Sequence, residues 1–368
     1  MNNNHKEKSV FTVNDTLAAK GSALCLLLVC HLFIEHPNIG LRINGLSIAH
    51  FNADVSKVCV AMFVLLSGFG LCESIRKKTI SFPKFFFNRL VKIYVPYWFI
   101  GLIFVPLGIF FFDRTLNIVF RDNIGLRILQ NIFGIQGFNG YNITWWYITL
   151  ILMLYLLFPC LKFLIEKVGL PFLALTAIFL FVPLKFFSTI GFAWVVMMYL
   201  FPFTLGVYIS TYTVLPKLST YYADHKKKKL IFYLAIIGII IWQREFGIFK
   251  PDGLGAPSII DGPFSLIIIA FCFEYTFKIN TIQNVFIFIG KHSYNIFLFH
   301  TFIYYYYFTE FIFYFKYPMI IFNIMLGLCL VLSVVIEWLK TVMGINRLST
   351  FLVNLNFKDK YSFSKLKS

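Results

Sequence analysis

The sequence predicts an all-α protein that crosses a membrane about ten times, and three observations lead to this fold class. First, 59% of the 368 residues are hydrophobic and only 13% are charged, whereas a soluble domain carries about 25% charged residues. Second, 47 phenylalanines are too many for the interior of a water-facing globule. Third, the apolar residues form long continuous runs rather than the short alternating segments that build β-barrels.

Ten apolar runs follow one another along the chain. They cover residues 20–39, 56–72, 93–112, 145–164, 170–184, 192–210, 230–242, 264–277, 293–315 and 319–339. The first run lacks a small-residue cleavage site, so it is predicted to be a retained helix rather than a signal peptide. The runs at 230–242 and 264–277 are short, which leaves nine or eleven spans as alternatives. At the start of the fourth run, Trp145, Trp146 and Tyr147 are typical of an aromatic belt at a membrane interface.

The net charge of +17 does not require a nucleic-acid partner. Basic residues of membrane proteins gather in cytoplasmic loops, where they set the orientation. With ten spans, 24 of the 33 lysines and arginines fall on the side that holds both termini, which are therefore predicted to be cytoplasmic. An odd number of spans would break this agreement. The predicted organisation is a cytoplasmic segment at 1–19, a transmembrane domain at 20–340 and a basic cytoplasmic tail at 341–368.

Several common kinds of site are not indicated. The seven cysteines lie mostly in apolar runs and make no CxxC pair, so neither a disulfide framework nor a metal site is predicted. The sequence also lacks the GxSxG, HExxH and Walker patterns.

The first predicted span carries three ionisable residues. Eleven residues separate Lys20 from His31, which at 100° per residue places both on one helical face, roughly 16 Å apart along the axis. Glu35 follows one turn later. Ionisable groups inside a membrane helix mark functional sites by default, and a histidine oriented by a carboxylate can act as a general base. The alternative is a histidine hydrogen-bonded across helices and a glutamate that reaches the interface.

The densest basic cluster precedes the third run. It consists of Arg76, Lys77, Lys78, Lys84, Arg89 and Lys92. Such side chains suit the phosphates of a nucleotide-type ligand, but they also suit a topology signal that binds anionic lipid. We favour the topology signal for Arg76 to Lys78. We favour ligand contact for Arg89 and Lys92, which are three residues apart on one helical face.

Two later features concern helix packing. His300 follows Ser293 by seven residues and therefore shares its helical face, which fits either a polar pocket or hydrogen bonds between helices. The segment SGFG, from Ser67 to Gly70, is most simply a site of close helix packing, because a phosphate loop would need a preceding strand.

Five stretches carry a resemblance to a known family. They are Lys20-Gly21 with His31, FVLLSGF at Phe63–Phe69, FFFNRLVKIYVP ending at Pro96, WWYITLILMLYLLFP at Trp145–Pro159, and GKHSYNIFLFH at Gly290–His300. In this order they resemble the acyltransferase-3 family of integral membrane acyltransferases, which includes O-antigen, capsule and peptidoglycan O-acetyltransferases. The sequence departs from the family pattern at Lys20, Asn88 and Lys92, where arginine is the commoner residue. These departures concern the assignment of the donor-binding site more than the assignment to the family.

The resemblance implies transfer of an acyl group, usually acetyl, from acyl-CoA to a sugar hydroxyl of a cell-envelope polysaccharide or lipid-linked glycan at a bacterial inner membrane. Acetyl-CoA would be a donor substrate, with no bound cofactor; the other expected partners are the glycan acceptor and the bilayer. The residues predicted for the site are His31, Lys20 and Glu35 for catalysis, Arg89, Lys92 and Lys84 for coenzyme A, and Ser67, Trp146, Tyr147, Ser293 and His300 for the substrate pocket. Among the catalytic residues, Glu35 rests on helix geometry alone. His31 would act as a general base or carry the acyl group covalently.

Two other kinds of function fit a chain of this composition. Ionisable residues and broken helices inside a membrane also suit an exporter or flippase of a glycan or lipid, although no inverted repeat is visible in the sequence. A non-enzymatic subunit of a polysaccharide assembly system is the other alternative. The oligomeric state is left open.

Overall fold

A computed structural model describes residues 11–36, 38–43, 46–76, 81–178, 191–215, 226–246 and 260–355. Nearly all of the secondary structure in these ranges is helical. A short antiparallel pair, β1 (Arg42–Ile43) and β2 (Leu46–Ser47), follows the first helix, with Arg42 opposite Ser47. The predicted all-α class is therefore confirmed.

The helices are numbered here in chain order. They are α1 (Val13–Phe33), α2 (Ile48–Ser56), α3 (Cys59–Arg76), α4 (Phe82–Phe111), α5 (Leu116–Val119), α6 (Ile124–Ile132), α7 (Trp146–Val168), α8 (Leu170–Ile178), α9 (Ala193–Thr211), α10 (Lys226–Phe246), α11 (Asp261–Glu274), α12 (Asn280–Thr301), α13 (Thr309–Phe313), α14 (Pro318–Val342) and α15 (Ile345–Asn354). A 3₁₀ turn, Ile143–Trp145, precedes α7, and a π-helix, Phe302–Tyr307, follows α12.

Six helices of the described part are long and apolar enough to cross a membrane. They are Val13–Phe33, Ile48–Arg76, Phe82–Phe111, Ile143–Val168, Ala193–Thr211 and Pro318–Val342. The chain is thus a membrane protein with several apolar helices. Helices α8, α10, α11 and α12 occupy the other predicted positions, and residues 179–184 of the predicted fifth span lie outside the described residues. The count of ten and the cytoplasmic termini stay predictions.

The predicted limits of two helices are wrong in a way that matters for the site. Helix α1 begins seven residues before Lys20 because Thr12 and Asp15 form a capping box, in which the Asp15 N–H donates to Thr12 Oγ1 at 3.2 Å. It ends at Phe33 rather than at residue 39. Helix α4 begins at Phe82, with a proline in its first turn, so Arg89 lies inside the helix and not in a loop before it.

A pair of glycines brings α1 and α12 into backbone contact. A Cβ at Gly21 would lie 2.2 Å from the carbonyl oxygen of Phe286, and one at Gly290 would lie 1.9 Å from that of Leu17. Only glycine permits helices to approach so closely. Gln283 of α12 also donates a hydrogen bond of 2.8 Å to Asp15. This crossing fixes the helix of Lys20 and His31 against the helix of Ser293 and His300.

A second glycine pair joins α3 to α9. A Cβ at Gly68 would lie 2.3 Å from the carbonyl oxygen of Phe203, and one at Gly206 would lie 2.0 Å from that of Leu65. The interpretation of SGFG as a close-packing site is therefore confirmed for Gly68. Both crossings lie in the interior of the bundle, whereas α4 and α14 expose most of their apolar surface.

The connection between α4 and α7, predicted as a loop, folds back along α4. Three aromatic side chains of α4 donate hydrogen bonds to consecutive carbonyls at the end of α6. The pairs are Tyr97 to Asn131 at 2.5 Å, Trp98 to Ile132 at 2.7 Å and Tyr94 to Phe133 at 2.5 Å. Because Tyr94 lies about 25 Å before the end of α4, α6 reaches the middle of that membrane-spanning helix. The end of α6 therefore packs against α4 instead of extending away from it as a free loop.

Candidate functional site

A polar pocket of about 250 Å³ lies between α1, α3, α4, α7 and α12. Of the residues predicted for the site, eight line it. They are Lys20, His31, Ser67, Arg89, Lys92, Trp146, Tyr147 and Ser293. The glycine contact between α1 and α12 brings residues from distant parts of the chain together. Because α4 begins at Phe82, Arg89 and Lys92 lie within this helix and join the same pocket.

His31 and His300 form a pair at the inner end of the pocket. His31 Nδ1 lies 2.8 Å from His300 Nε2, across the α1–α12 contact. His300 is fully buried, and its Nδ1 lies 3.0 Å from the Ile296 carbonyl and 2.9 Å from the Phe297 carbonyl. Carbonyl oxygens only accept hydrogen bonds, so the Nδ1 of His300 carries a proton.

The hydrogen bonds of the pair fix the tautomer of His31. A buried imidazole without a counter-charge is favoured in its neutral form, so His300 Nε2 has a lone pair and accepts from His31 Nδ1. A neutral His31 then has its lone pair on Nε2. This is the nitrogen left to a molecule in the pocket, and it has the property that a general base requires.

A chain of buried polar groups continues behind His300. Thr301 Oγ1 lies 3.4 Å from His300 Nε2 and 3.1 Å from Thr144 Oγ1. The Thr144 hydroxyl donates to Asn142 Oδ1 at 2.8 Å. These side chains are all buried, so they fix the position of the histidine pair and of the backbone that leads into α7.

Three basic side chains occupy the other end of the pocket. Arg89 donates from Nη2 to Ser74 Oγ at 2.6 Å and packs over the Phe85 ring at 5.3 Å. Lys20 lies within the electrostatic influence of Arg89 and Lys92. Among the described residues that line the pocket, none is an aspartate or a glutamate. This end therefore suits an anionic ligand such as a phosphate group.

The outermost basic residue of the pocket is more exposed than the other residues of the two ends, and the partner of His31 is the most buried. Lys92 is exposed, Lys20 and Arg89 are half-buried, and His300 is inaccessible. Since Lys20 and His31 lie on the same helix, the basic mouth and the base are roughly 16 Å apart. A ligand that fills the pocket would have its charged part at the mouth and its reacting part inside.

The middle of the pocket consists of hydroxyl and aromatic groups. Ser67 lies near the hydroxyls of Tyr147 and Tyr155. The Ser293 hydroxyl donates to the Gly290 carbonyl of its own helix at 2.8 Å. Tyr294 donates to the Ile93 carbonyl at 2.9 Å, which ties α12 to α4.

Three polar residues of the pocket lining were not identified from the sequence. They are Thr144, Tyr155 and Tyr294. Tyr155 follows Tyr147 by two steps of four residues, so its helical spacing was an available signal. Tyr294 is adjacent to Ser293 within a stretch already singled out. Thr144 precedes its helix, and only the tertiary structure brings it to the pocket.

Glu35 lies beyond the end of the helix that carries His31. Helix α1 ends at Phe33, and Glu35 lies exposed in the bend that follows. Burial lowers the pKa of His36, and the neighbouring charge of Glu35 opposes that shift. The polar partner that the structure gives His31 is His300, and the predicted role of Glu35 stays a prediction.

Lys84 and Trp145 are also placed differently from expectation. Lys84 lies in the first turn of α4 and is not among the residues that line the pocket. It precedes Arg89 by five residues, which turns it about 140° around the helix. Trp145 is 2% exposed and its indole N–H donates to the Leu298 carbonyl at 2.9 Å. It is a core residue, so the predicted interfacial belt is wrong at this position.

The fold and the site define a helical membrane protein with a pocket whose basic mouth leads to a histidine pair. A family model described as an acyltransferase domain, Acyl_transf_3, matches residues 18–339. The chain therefore belongs to the acyltransferase-3 family and is a membrane acyltransferase, as its motifs indicated. The comparisons with curated proteins and with solved structures gave no significant match.

Proposed function

We propose that the chain transfers an acyl group, most simply acetyl, from acyl-CoA to a sugar hydroxyl of a cell-envelope glycan at the bacterial cytoplasmic membrane. The observation that carries this proposal is the pocket itself. Three basic side chains line one end of the pocket, and His31 lies at the other end. The hydrogen bond to His300 uses Nδ1 of His31 and not its Nε2. The family supplies the reaction class, and the pocket indicates which residues perform it.

The donor would enter from the basic end. Arg89, Lys92 and Lys20 would hold the phosphates of coenzyme A, for which guanidinium and ammonium groups are the usual protein ligands. The extended pantetheine arm of coenzyme A separates its phosphates from its thioester, in keeping with the separation of Lys20 and His31. The predicted orientation puts this mouth in the cytoplasm, where acyl-CoA is made.

The chemistry would take place at His31. Its Nε2 takes the proton of the acceptor hydroxyl while the hydroxyl oxygen attacks the thioester carbonyl. The carbon–sulfur bond breaks, and the departing sulfur takes the proton from His31 Nε2 and leaves as the thiol of coenzyme A. During this step His300 Nε2 accepts the hydrogen bond from His31 Nδ1 and keeps the ring aligned.

The decisive experiment is acyl transfer by purified protein in proteoliposomes, followed by mass spectrometry of the acylated glycan. His31→Ala should lose transfer while it still binds acetyl-CoA and inserts at normal abundance. His50→Ala is the matched control, because His50 lies on α2 outside the pocket. Undiminished transfer by His31→Ala would contradict the mechanism. The same two variants, expressed in a strain that lacks the wild-type protein, test whether the acceptor is an envelope glycan.

A further inference from the structure

An aromatic side chain without a role in the proposed reaction lies on the far side of the histidine pair. Ser293 and Phe297 of α12 line the pocket. His300 follows them on the same helix, and Tyr304 lies four residues beyond it in the π-helix. The centre of the Tyr304 ring is 6.0 Å from that of His300 and 6.3 Å from that of His31. Tyr304 therefore packs against the end of the pair that faces away from the pocket.

The protein surface lies directly behind Tyr304. Helices α1 and α12 run in the same direction from the basic mouth to the histidine pair, so this surface is opposite to the mouth. Glu35 is exposed there and lies within electrostatic reach of the Tyr304 hydroxyl. A carboxylate is exposed where water is present. Tyr305 is 42% exposed but Tyr304 only 7%, so the Tyr304 ring lies between the histidine pair and a water-facing surface.

The π-helix that carries Tyr304 is anchored at two points. The hydroxyl of Tyr306 accepts a hydrogen bond of 3.1 Å from the Ile143 N–H in the turn before α7. The hydroxyl of Tyr307 donates to the Phe104 carbonyl of α4 at 2.5 Å. π-Helical turns are rare and are frequent at functional sites. These bonds hold the segment, and with it the Tyr304 ring, against the histidine pair.

Water is the natural competitor of an acceptor hydroxyl at His31. A base that takes a proton from a sugar hydroxyl can also take one from water. The water oxygen would then attack the thioester carbonyl and the carbon–sulfur bond would break. The sulfur would leave as coenzyme A thiol with the proton from His31 Nε2, and the acyl group would become a free carboxylic acid. Closed active sites suppress such side reactions by excluding water.

We propose that Tyr304 favours acyl transfer over hydrolysis, because its ring keeps water of the surface opposite the basic mouth away from the histidine pair. The donor would fill the basic mouth during the reaction, so the approach past Tyr304 is the one that the chain itself must close. This inference rests on the proposed function for its chemical consequence, since hydrolysis uses the same donor and the same base. The exclusion of water by the ring is independent of what the protein acylates.

The first test is hydrolysis of acetyl-CoA by purified protein in proteoliposomes without an acceptor, measured as released acetate. Tyr304→Ala opens the wall and should raise hydrolysis about tenfold, a change of about 1.4 kcal/mol in the barrier. Tyr304→Phe keeps the ring and should hydrolyse acetyl-CoA like wild type. Tyr305→Ala is the matched control, because it removes the neighbouring ring, which contacts Tyr304 and Tyr306 rather than the histidines.

The second test needs no catalysis and uses a cysteine of the chain as a reporter of water access. Cys30 is 6% exposed, precedes His31 and lies within electrostatic reach of Tyr304. A charged methanethiosulfonate that does not cross membranes is added on the side opposite the basic mouth. It should modify Cys30 about tenfold faster in Tyr304→Ala than in wild type or Tyr305→Ala, because a thiol reacts only where it is accessible. Mass spectrometry of the peptide that contains Cys30 measures the modification.

The two tests together decide the question. Faster modification of Cys30 together with faster hydrolysis in Tyr304→Ala supports the proposal. Unchanged modification of Cys30 overturns it, and so does unchanged hydrolysis in a protein whose wild type transfers acetyl. Loss of both transfer and hydrolysis at normal abundance would also overturn it, because Tyr304 would then take part in catalysis itself.

A further variant covers the possibility that Tyr304→Ala does not fold. Tyr304→Leu removes the ring but leaves a smaller cavity, and it takes the place of Tyr304→Ala in both assays with the same expected directions. The modification of Cys30 depends neither on acetyl-CoA nor on His31 as a base. A failure of the proposed catalytic function therefore leaves this result unaffected and remains distinguishable from a failure of the water barrier.

Discussion

Both glycine crossings bring two helices into backbone contact, but the helices that they join carry different groups. At the α1–α12 crossing, Gly21 and Gly290 bring together helices that carry Lys20, His31 and His300. At the α3–α9 crossing, Gly68 and Gly206 bring together helices whose contact surfaces are mainly apolar. Backbone contact fixes both pairs, but only the first pair positions the ionisable groups that line the pocket; the second pair places Ser67 at the pocket and a hydrogen bond from Ser210 to Glu73 near the end of α3.

The difference teaches where a small displacement should affect chemistry and where it should affect stability. A hydrogen bond of 2.8 Å between two imidazoles tolerates little movement of one helix along the other. At the other crossing most side chains are apolar and can repack at a cost in stability, and the directional contact there, from Ser210 to Glu73 at 2.7 Å, lies outside the pocket. The predictions below test this contrast, beginning with the largest expected effect.

Gly21→Ala should lower acyl transfer per folded molecule by about 100-fold, because a misplacement of about 1 Å has this effect at a catalytic centre. The new Cβ would meet a backbone carbonyl at 2.2 Å, so the helices must separate. Gly206→Ala, with its Cβ 2.0 Å from a carbonyl, should mainly lower the thermal stability.

Gly70→Ala is the control for both glycine variants, because nothing lies within 4 Å of its Cβ position. Activity per folded molecule and melting temperature should be measured on the same detergent-purified samples. Equal losses of activity from Gly21→Ala and Gly206→Ala would remove the distinction between the two crossings.

His300→Ala should lower kcat by about 10- to 100-fold and leave the KM for acetyl-CoA unchanged, because His300 acts on the orientation of His31 and lies far from the basic mouth. His300→Gln should recover part of the loss, since its amide oxygen can accept the hydrogen bond from His31. Steady-state kinetics on both variants measure this. A change confined to KM would place His300 in substrate binding instead.

Arg89→Ala should raise the KM for acetyl-CoA about tenfold, the loss expected for one charge-assisted contact of about 1.4 kcal/mol. Lys84→Ala serves as the control, because it removes a positive charge from the same helix outside the pocket. Isothermal calorimetry measures the binding of acetyl-CoA, and steady-state kinetics measure KM and kcat, so the two together separate binding from turnover. An equal effect of Lys84→Ala would indicate a general surface potential rather than a specific site.

Glu35→Gln should change acyl transfer by less than about twofold, the smallest effect of the series, because surface substitutions outside a site are close to neutral. The carboxylate lies exposed beyond the end of α1. The same proteoliposome assay measures it. A loss comparable to that of His300→Ala would show that Glu35 moves to the pocket during the reaction.

The parts of the site that follow from local spacing were predictable. Lys20 and His31 share a face because both lie within one continuous helix, and Arg89 and Lys92 share one for the same reason. The placement of Glu35 was less predictable because it depends on where the helix ends. Pro37 was the available signal, since the residue before a proline is disfavoured in a helix and α1 stops shortly before it.

The contacts between distant segments were not predictable from one sequence. His31 and His300 are 269 residues apart, and no local pattern states that two glycines will bring their helices together. The apolar run predicted a helix from residue 293, thirteen residues after the observed start of α12 at Asn280, because polar residues such as Gln283 precede the run. Their buried partners, here Asp15, are visible only in the fold.

The most direct test of the histidine pair is a double-mutant cycle of kcat for acyl transfer, with His31→Ala, His300→Ala and both changes together. If His300 acts only by orienting His31, the double variant should be no slower than His31→Ala alone, because residues that act as a unit have strongly non-additive effects. Effects that multiply independently would contradict a shared catalytic unit, and so would a His31→Ala variant that keeps the wild-type rate.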